Sequence, residues 1–167
     1  LWRFWPLTVI SVGIGFVLPP FLFRGRRGLG GLFIPGIPIL VAGGMLLFSS
    51  VLDWWEAWAW LWPLLVLSVA AGLTMAAFHW RLIWLIIPVT ILTANGLLFQ
   101  FCALTGLWNV WAVMWAIEPL SVGLSLLTIG ARKRRSGLMT AGLLLCSIGG
   151  VALVGMSAIL SVSLLAG

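Results

Sequence analysis

LGGLFIPGIPILVAGGMLLFSSVL, residues 29–52, runs for 24 residues without a charged side chain, and Asp53 closes it. As a helix it would be about 36 Å long, enough to cross a hydrocarbon core of roughly 30 Å. Upstream, an apolar run from about Trp5 to Phe23 ends at Arg24-Gly25-Arg26-Arg27-Gly28. Downstream, the Trp-rich stretch Trp54–Trp62 leads into a third run, about Trp60–Phe78. His79, Trp80 and Arg81 form a tight turn before the fourth, about Leu82–Cys102. Thr105, Gly106 and Asn109 mark the next turn. The fifth run spans about Trp108–Gly130 and ends at Arg132-Lys133-Arg134-Arg135, and the sixth extends from Gly137 toward Leu165. Turns of a few residues force neighbouring helices to be antiparallel. The expected fold is therefore all-α: a polytopic membrane protein of six transmembrane helices, one membrane domain over residues 1–167. The fifth helix has two readings. Either it starts near Trp108, or Trp108–Ile117 lies in the interface and the span is short.

Composition excludes a soluble globule. Of 167 residues 63% are apolar, and only 9 basic and 3 acidic side chains are available to face water. Mean hydropathy is +1.23. That few charges decorate the ends of a bundle but do not coat a globule. The net charge of +6 does not indicate nucleic acid, because the basic residues sit in short turns between apolar runs. Cys102 and Cys146 lie on separate expected helices and give neither a disulfide framework nor a metal pattern.

Charge placement predicts an orientation. Eight of the nine basic residues fall in the first, third and fifth turns: Arg24, Arg26, Arg27, Arg81, Arg132, Lys133, Arg134 and Arg135. Six antiparallel helices put those turns on one side, and the positive-inside rule makes that side cytoplasmic, with both termini outside. The clusters Arg24, Arg26, Arg27 and Arg132 to Arg135 are also candidates for anionic-lipid contact. Ten of the twelve tryptophans mark the opposite side: Trp2, Trp5, Trp54, Trp55, Trp58, Trp60, Trp62, Trp108, Trp111 and Trp115. Indole favours the headgroup layer, so they form an interfacial belt or a partner-contact surface.

The odd-numbered runs share an entry: Trp5-Pro6-Leu7, Trp62-Pro63-Leu64 and Glu118-Pro119-Leu120, with prolines 57 and 56 residues apart. Proline near a helix start sacrifices no needed N–H. Ser11 with Gly15, and Ser68 with Gly72, are small pairs one turn apart that would let helices approach closely, with Ser121 and Ser125 in the third unit. Three tandem helical hairpins follow, approximately 1–56, 57–112 and 113–167, repeated in parallel rather than inverted.

The Trp-Pro-Leu entry, a glycine about nine residues on, and an Arg-rich turn before the next helix resemble the transmembrane repeat modules of bacterial LiaI/LiaF-type envelope-stress membrane proteins. The resemblance implies a multi-pass protein of the bacterial inner membrane and, by analogy, stress sensing. It implies no catalytic residues.

Few polar groups lie within the runs. Glu118 is either an intramembrane carboxyl able to carry protons, bind a cation or bond a subunit, or an interfacial residue favoured by a helix N-terminus. Asn95 is placed to bond across helices. Pro35, Gly36 and Pro38, and Pro88, are expected to bend their helices. His79 is the sole histidine, at an interfacial turn. No phosphate loop, triad, dinucleotide fingerprint or metal cluster is present, and no cofactor is expected. The residues favour a structural or scaffolding membrane subunit over an enzyme. Its contacts would be lipids, other membrane subunits or copies of itself. A small transporter or ion-coupled carrier using Glu118 is the alternative.

Overall fold

Proline decides where the helices start. The computed structural model describes residues 2–23 and 25–165, and all regular structure among them is helical. The α-helices are α1 (Pro6–Leu22), α2 (Phe33–Leu52), α3 (Trp58–Leu61), α4 (Pro63–Trp80), α5 (Ile86–Thr105), α6 (Trp111–Met114), α7 (Ile117–Lys133) and α8 (Ser136–Leu165). Pro6 and Pro63 are the first residues of α1 and α4, and Pro119 is the third of α7. A proline ring clashes with the carbonyl four residues back. Pro63 and Pro119 therefore separate α4 and α7 from the short helices before them. A 3-10 turn carrying tryptophan stands ahead of each entry: Trp2–Phe4, Trp55–Ala57 and Trp108–Val110.

Three helix ends share one geometry. Asp53, Arg81 and Arg134 have φ of 54°, 54° and 50°. The following N–H groups, of Trp54, Leu82 and Arg135, donate to the carbonyls of Ser49, Ala77 and Gly130. This left-handed cap satisfies carbonyls that the helix leaves open.

Five stretches are long and apolar enough to cross a membrane: Trp2–Leu22, Gly28–Leu52, Pro63–Trp80, Ile83–Thr105 and Ser136–Ile159. The run expected over Trp108–Gly130 is not one helix. It breaks at Trp115 and Ala116, and α7 has only 17 residues, with Glu118 at one end and Arg132 and Lys133 at the other. Pro88 was expected to bend the fourth run, but it is the third residue of α5, where no N–H bond is lost. Pro38 lies inside α2.

The chain divides into two compact units, Leu1–Leu104 and Thr105–Gly167. In the first, glycines seat the helices. Gly13 meets Leu40, Gly36 meets Phe16 and Val17, and Gly43 meets Ile10, an antiparallel register in which an added Cβ would come within 2.8 Å, 2.8 Å and 2.7 Å of those neighbours. Gly72 of α4 faces the backbone of Phe33 and Ile34 in α2, and Gly96 of α5 faces Leu67 of α4. In the second unit α7 and α8 cross backbone to backbone: an added Cβ on Gly142 would lie 2.8 Å from the Gly123 carbonyl. Gly130 meets Met139, and Gly149 meets Leu120, in the same antiparallel register.

Burial is inverted relative to a soluble protein. Ala70, Ala76, Cys102, Ser49 and Ser125 are buried, while Leu18, Leu97, Leu143, Ile148 and Val154 are exposed. In lipid, small residues at contacts let backbones approach, and large apolar side chains lose nothing by facing outward. Ser68 and Gly72 meet the expectation for a small pair, with Ser68 buried. Ser11 and Gly15 do not: Ser11 is exposed, nothing lies within 4 Å of a Cβ on Gly15, and Gly13 on another face makes the contact.

Candidate functional site

Each unit has two chemically distinct ends. In the first unit, the end of α4 meets the turn between α1 and α2. His79 Nε2 lies 3.3 Å from the Arg26 carbonyl and donates to it in the tautomer with the proton on that nitrogen. The His79 ring is edge-on to Phe33, which is edge-on to Phe21. A Cβ on Gly30 would lie 2.7 Å from the His79 ring and 2.8 Å from Trp80 Nε1. Glycine there lets the turn sit on these two aromatic side chains. The Arg26 guanidinium lies 5.8 Å from the Phe23 ring centroid. Arg24 lies outside the described residues. Arg27 opens the 3-10 turn Arg27–Leu32.

The opposite end of that unit is aromatic. Phe48, Trp54 and Trp60 form a chain of ring contacts at 5.9 Å and 5.3 Å, and Trp62 packs on Phe99 at 5.2 Å. Gln100 donates from Nε2 to the Trp60 carbonyl at 2.9 Å, tying α5 to α3. Arg3 reaches Asp53 at 3.5 Å and donates to the Val51 carbonyl at 3.3 Å. That ion pair is open to solvent on both sides, so it contributes little. Trp2, Trp5, Trp54, Trp55 and Trp60 are exposed, whereas Trp58 and Trp62 are half-buried.

In the second unit Trp108, Trp111 and Trp115 are exposed ahead of α7. Arg132, Lys133, Arg134 and Arg135 are exposed between α7 and α8. Glu118 is half-buried in the first turn of α7, with Ser121 Oγ donating to its carbonyl at 2.8 Å. A helix N-terminus favours a carboxylate there. Asn95, in the first unit, donates from Nδ2 to the Ile91 carbonyl at 3.0 Å. Asn95 and Glu118 thus belong to different units. Thr90, Thr128 and Thr140 return their hydroxyls to carbonyls of their own helices.

Sequence reasoning missed the joining of His79 to the first basic turn. The two lie 53 positions apart; counting antiparallel helices puts both turns at one end, but nothing in the sequence pairs His79 with the Arg26 carbonyl. Among the described residues, no three of His, Cys, Asp or Glu gather as a metal site. In comparison with known proteins, the chain matches no family model, no curated protein and no solved structure.

Proposed function

We propose that the chain is a structural subunit of a cell membrane, built from three tandem hairpins in six spans and acting through lipid and partner contacts. One observation carries this reading: large aliphatic side chains lie exposed along helices whose mutual contacts are made by glycine, alanine and serine. Leu97, Leu143, Ile148 and Val151 are exposed by 58%, 58%, 61% and 74%. Exposed apolar surface of this extent requires lipid or another membrane helix against it. The repeat reading is supported by a shared contact: the return helix places Gly43, Gly96 and Gly149 on Ile10, Leu67 and Leu120 of the entry helix. The basic turns are assigned to the cytoplasmic side, in keeping with the positive-inside rule.

Extraction in a gentle detergent tests the reading. A retained partner or self-association is expected, together with labelling of cysteines placed in the basic turns only from the cytoplasmic side. A monodisperse monomer with no partner would remove the scaffolding role. Labelling from outside would overturn the orientation.

A further inference from the structure

The ends of α1 and α4 and the start of α2 border an open cavity of about 610 Å³ whose walls include Phe21, Phe33, Met75, Phe78, His79 and Arg81. We propose that this cavity holds an anionic phospholipid, with the phosphate of the headgroup on the Arg81 guanidinium and an acyl chain along Phe78, Phe21 and Met75. The proposal rests on the reading of this end as a membrane surface.

Three observations converge. First, the lining divides chemically: Arg81 and His79 are polar, and Phe21, Phe33, Met75 and Phe78 are apolar. A lipid presents both chemistries at one place, and a soluble anion presents only one. Second, none of the described lining residues is acidic, and Arg81 has no ion-pair partner among the described residues. Guanidinium is suited to phosphate oxygens because its N–H groups form a planar fork. Third, Phe78 is 77% exposed beside this opening, an apolar surface left without a protein cover.

Helix ends modify the field without reversing it. α1 and α4 finish here and α2 begins here. Their end charges are about half a unit each, two negative and one positive. The remainder is about half a negative charge, against the full positive charges of Arg81 and Arg26. His79 is held at the rim by its contact with the Arg26 carbonyl, which fixes the cavity wall. Arg81 is placed by its left-handed cap at the end of α4. A lipid in this position would fasten α4 to the turn between α1 and α2.

Native mass spectrometry of the full chain in detergent, with phosphatidylglycerol or phosphatidylcholine added, reads the site directly. Preferential retention of phosphatidylglycerol is expected, with about a fivefold loss of that preference in Arg81→Gln. Arg81→Lys should keep most of the preference, which separates charge loss from misfolding. Phe78→Ala, at an exposed position, should weaken retention of both lipids, and Arg3→Gln, at the opposite end of the unit beside Asp53, should change neither. An unchanged preference in Arg81→Gln, or an equal loss in Arg3→Gln, would overturn the proposal. So would displacement of the lipid by millimolar inorganic phosphate, which would assign the cavity to a free anion. The measurement does not depend on orientation or on a protein partner. Its failure therefore leaves the scaffolding reading standing, and labelling of the basic turns from outside would remove that reading's orientation alone.

Discussion

Gly72 shows how little space separates these helices. A Cβ there would lie 2.6 Å from the Phe33 carbonyl oxygen and 3.1 Å from Ile34 Cα. Both are backbone atoms, so no rotamer change relieves the clash. Gly72→Ala is expected to destabilise the α2–α4 contact by about 1–3 kcal/mol, read as a lower thermal midpoint in detergent. Gly15→Ala is the matched comparison. Nothing lies within 4 Å of its Cβ. It should be neutral, or stabilising by up to about 1 kcal/mol through helix propensity. Equal losses in the two variants would show that backbone effects, not contact, set the value. At this scale the sequence was ambiguous for a physical reason. Gly13 and Gly15 occupy the same apolar helix, and a helix that is apolar all round does not reveal which side meets a neighbour. The serine-glycine pairing singled out Ser11 and Gly15, while the contact with α2 uses Gly13. Glu118 was ambiguous in a different way. Its neighbours in the chain permitted a deep or a terminal position, and the first turn of α7 is where it lies.

Element boundaries were much more legible, because they are set by local chemistry. Pro6, Pro63 and the basic turns punctuate the chain as their residue types require. Residues 108–116 were harder to read. Three tryptophans and a run of apolar residues resemble a helix continuing into α7, yet Pro119 clashes with a carbonyl at Trp115 and forces a restart. The left-handed caps were not legible either, since an arginine gives no local signal for positive φ. Arg134 holds φ of 50° at a position where glycine is the usual occupant. Arg134→Gly is expected to relieve about 1 kcal/mol of backbone strain and raise the thermal midpoint. Asp53→Gly should gain less, because aspartate tolerates this conformation and because its contact with Arg3 is lost. A lower midpoint for Arg134→Gly would mean that its exposed charge outweighs the strain.

At the level of the whole molecule, the long uncharged apolar runs between short charged turns indicated membrane-length helices, and five stretches have that length and hydropathy. The cavity beside Arg81 had no linear signature. Its walls come from residues 20–33 and 75–81, drawn together by tertiary packing. Nothing in the spacing of Phe21 and Phe78 announces that they share a wall, so Arg81 read only as a turn charge.

The brevity of α7 has a consequence for the surrounding bilayer. Its 17 residues give about 25 Å, whereas its neighbour α8 has 30 residues, about 45 Å. If α7 crosses the membrane, it is shorter than a hydrocarbon core of roughly 30 Å, and acyl chains beside it would compress while those beside α8 would not. Such hydrophobic mismatch favours thin membranes. Reconstitution in lipids with 14-carbon chains should give a higher thermal midpoint than in lipids with 20-carbon chains. Indifference to chain length would mean that α7 does not stand across the membrane. Held as a span, a helix of this length would favour regions where the bilayer is already thin.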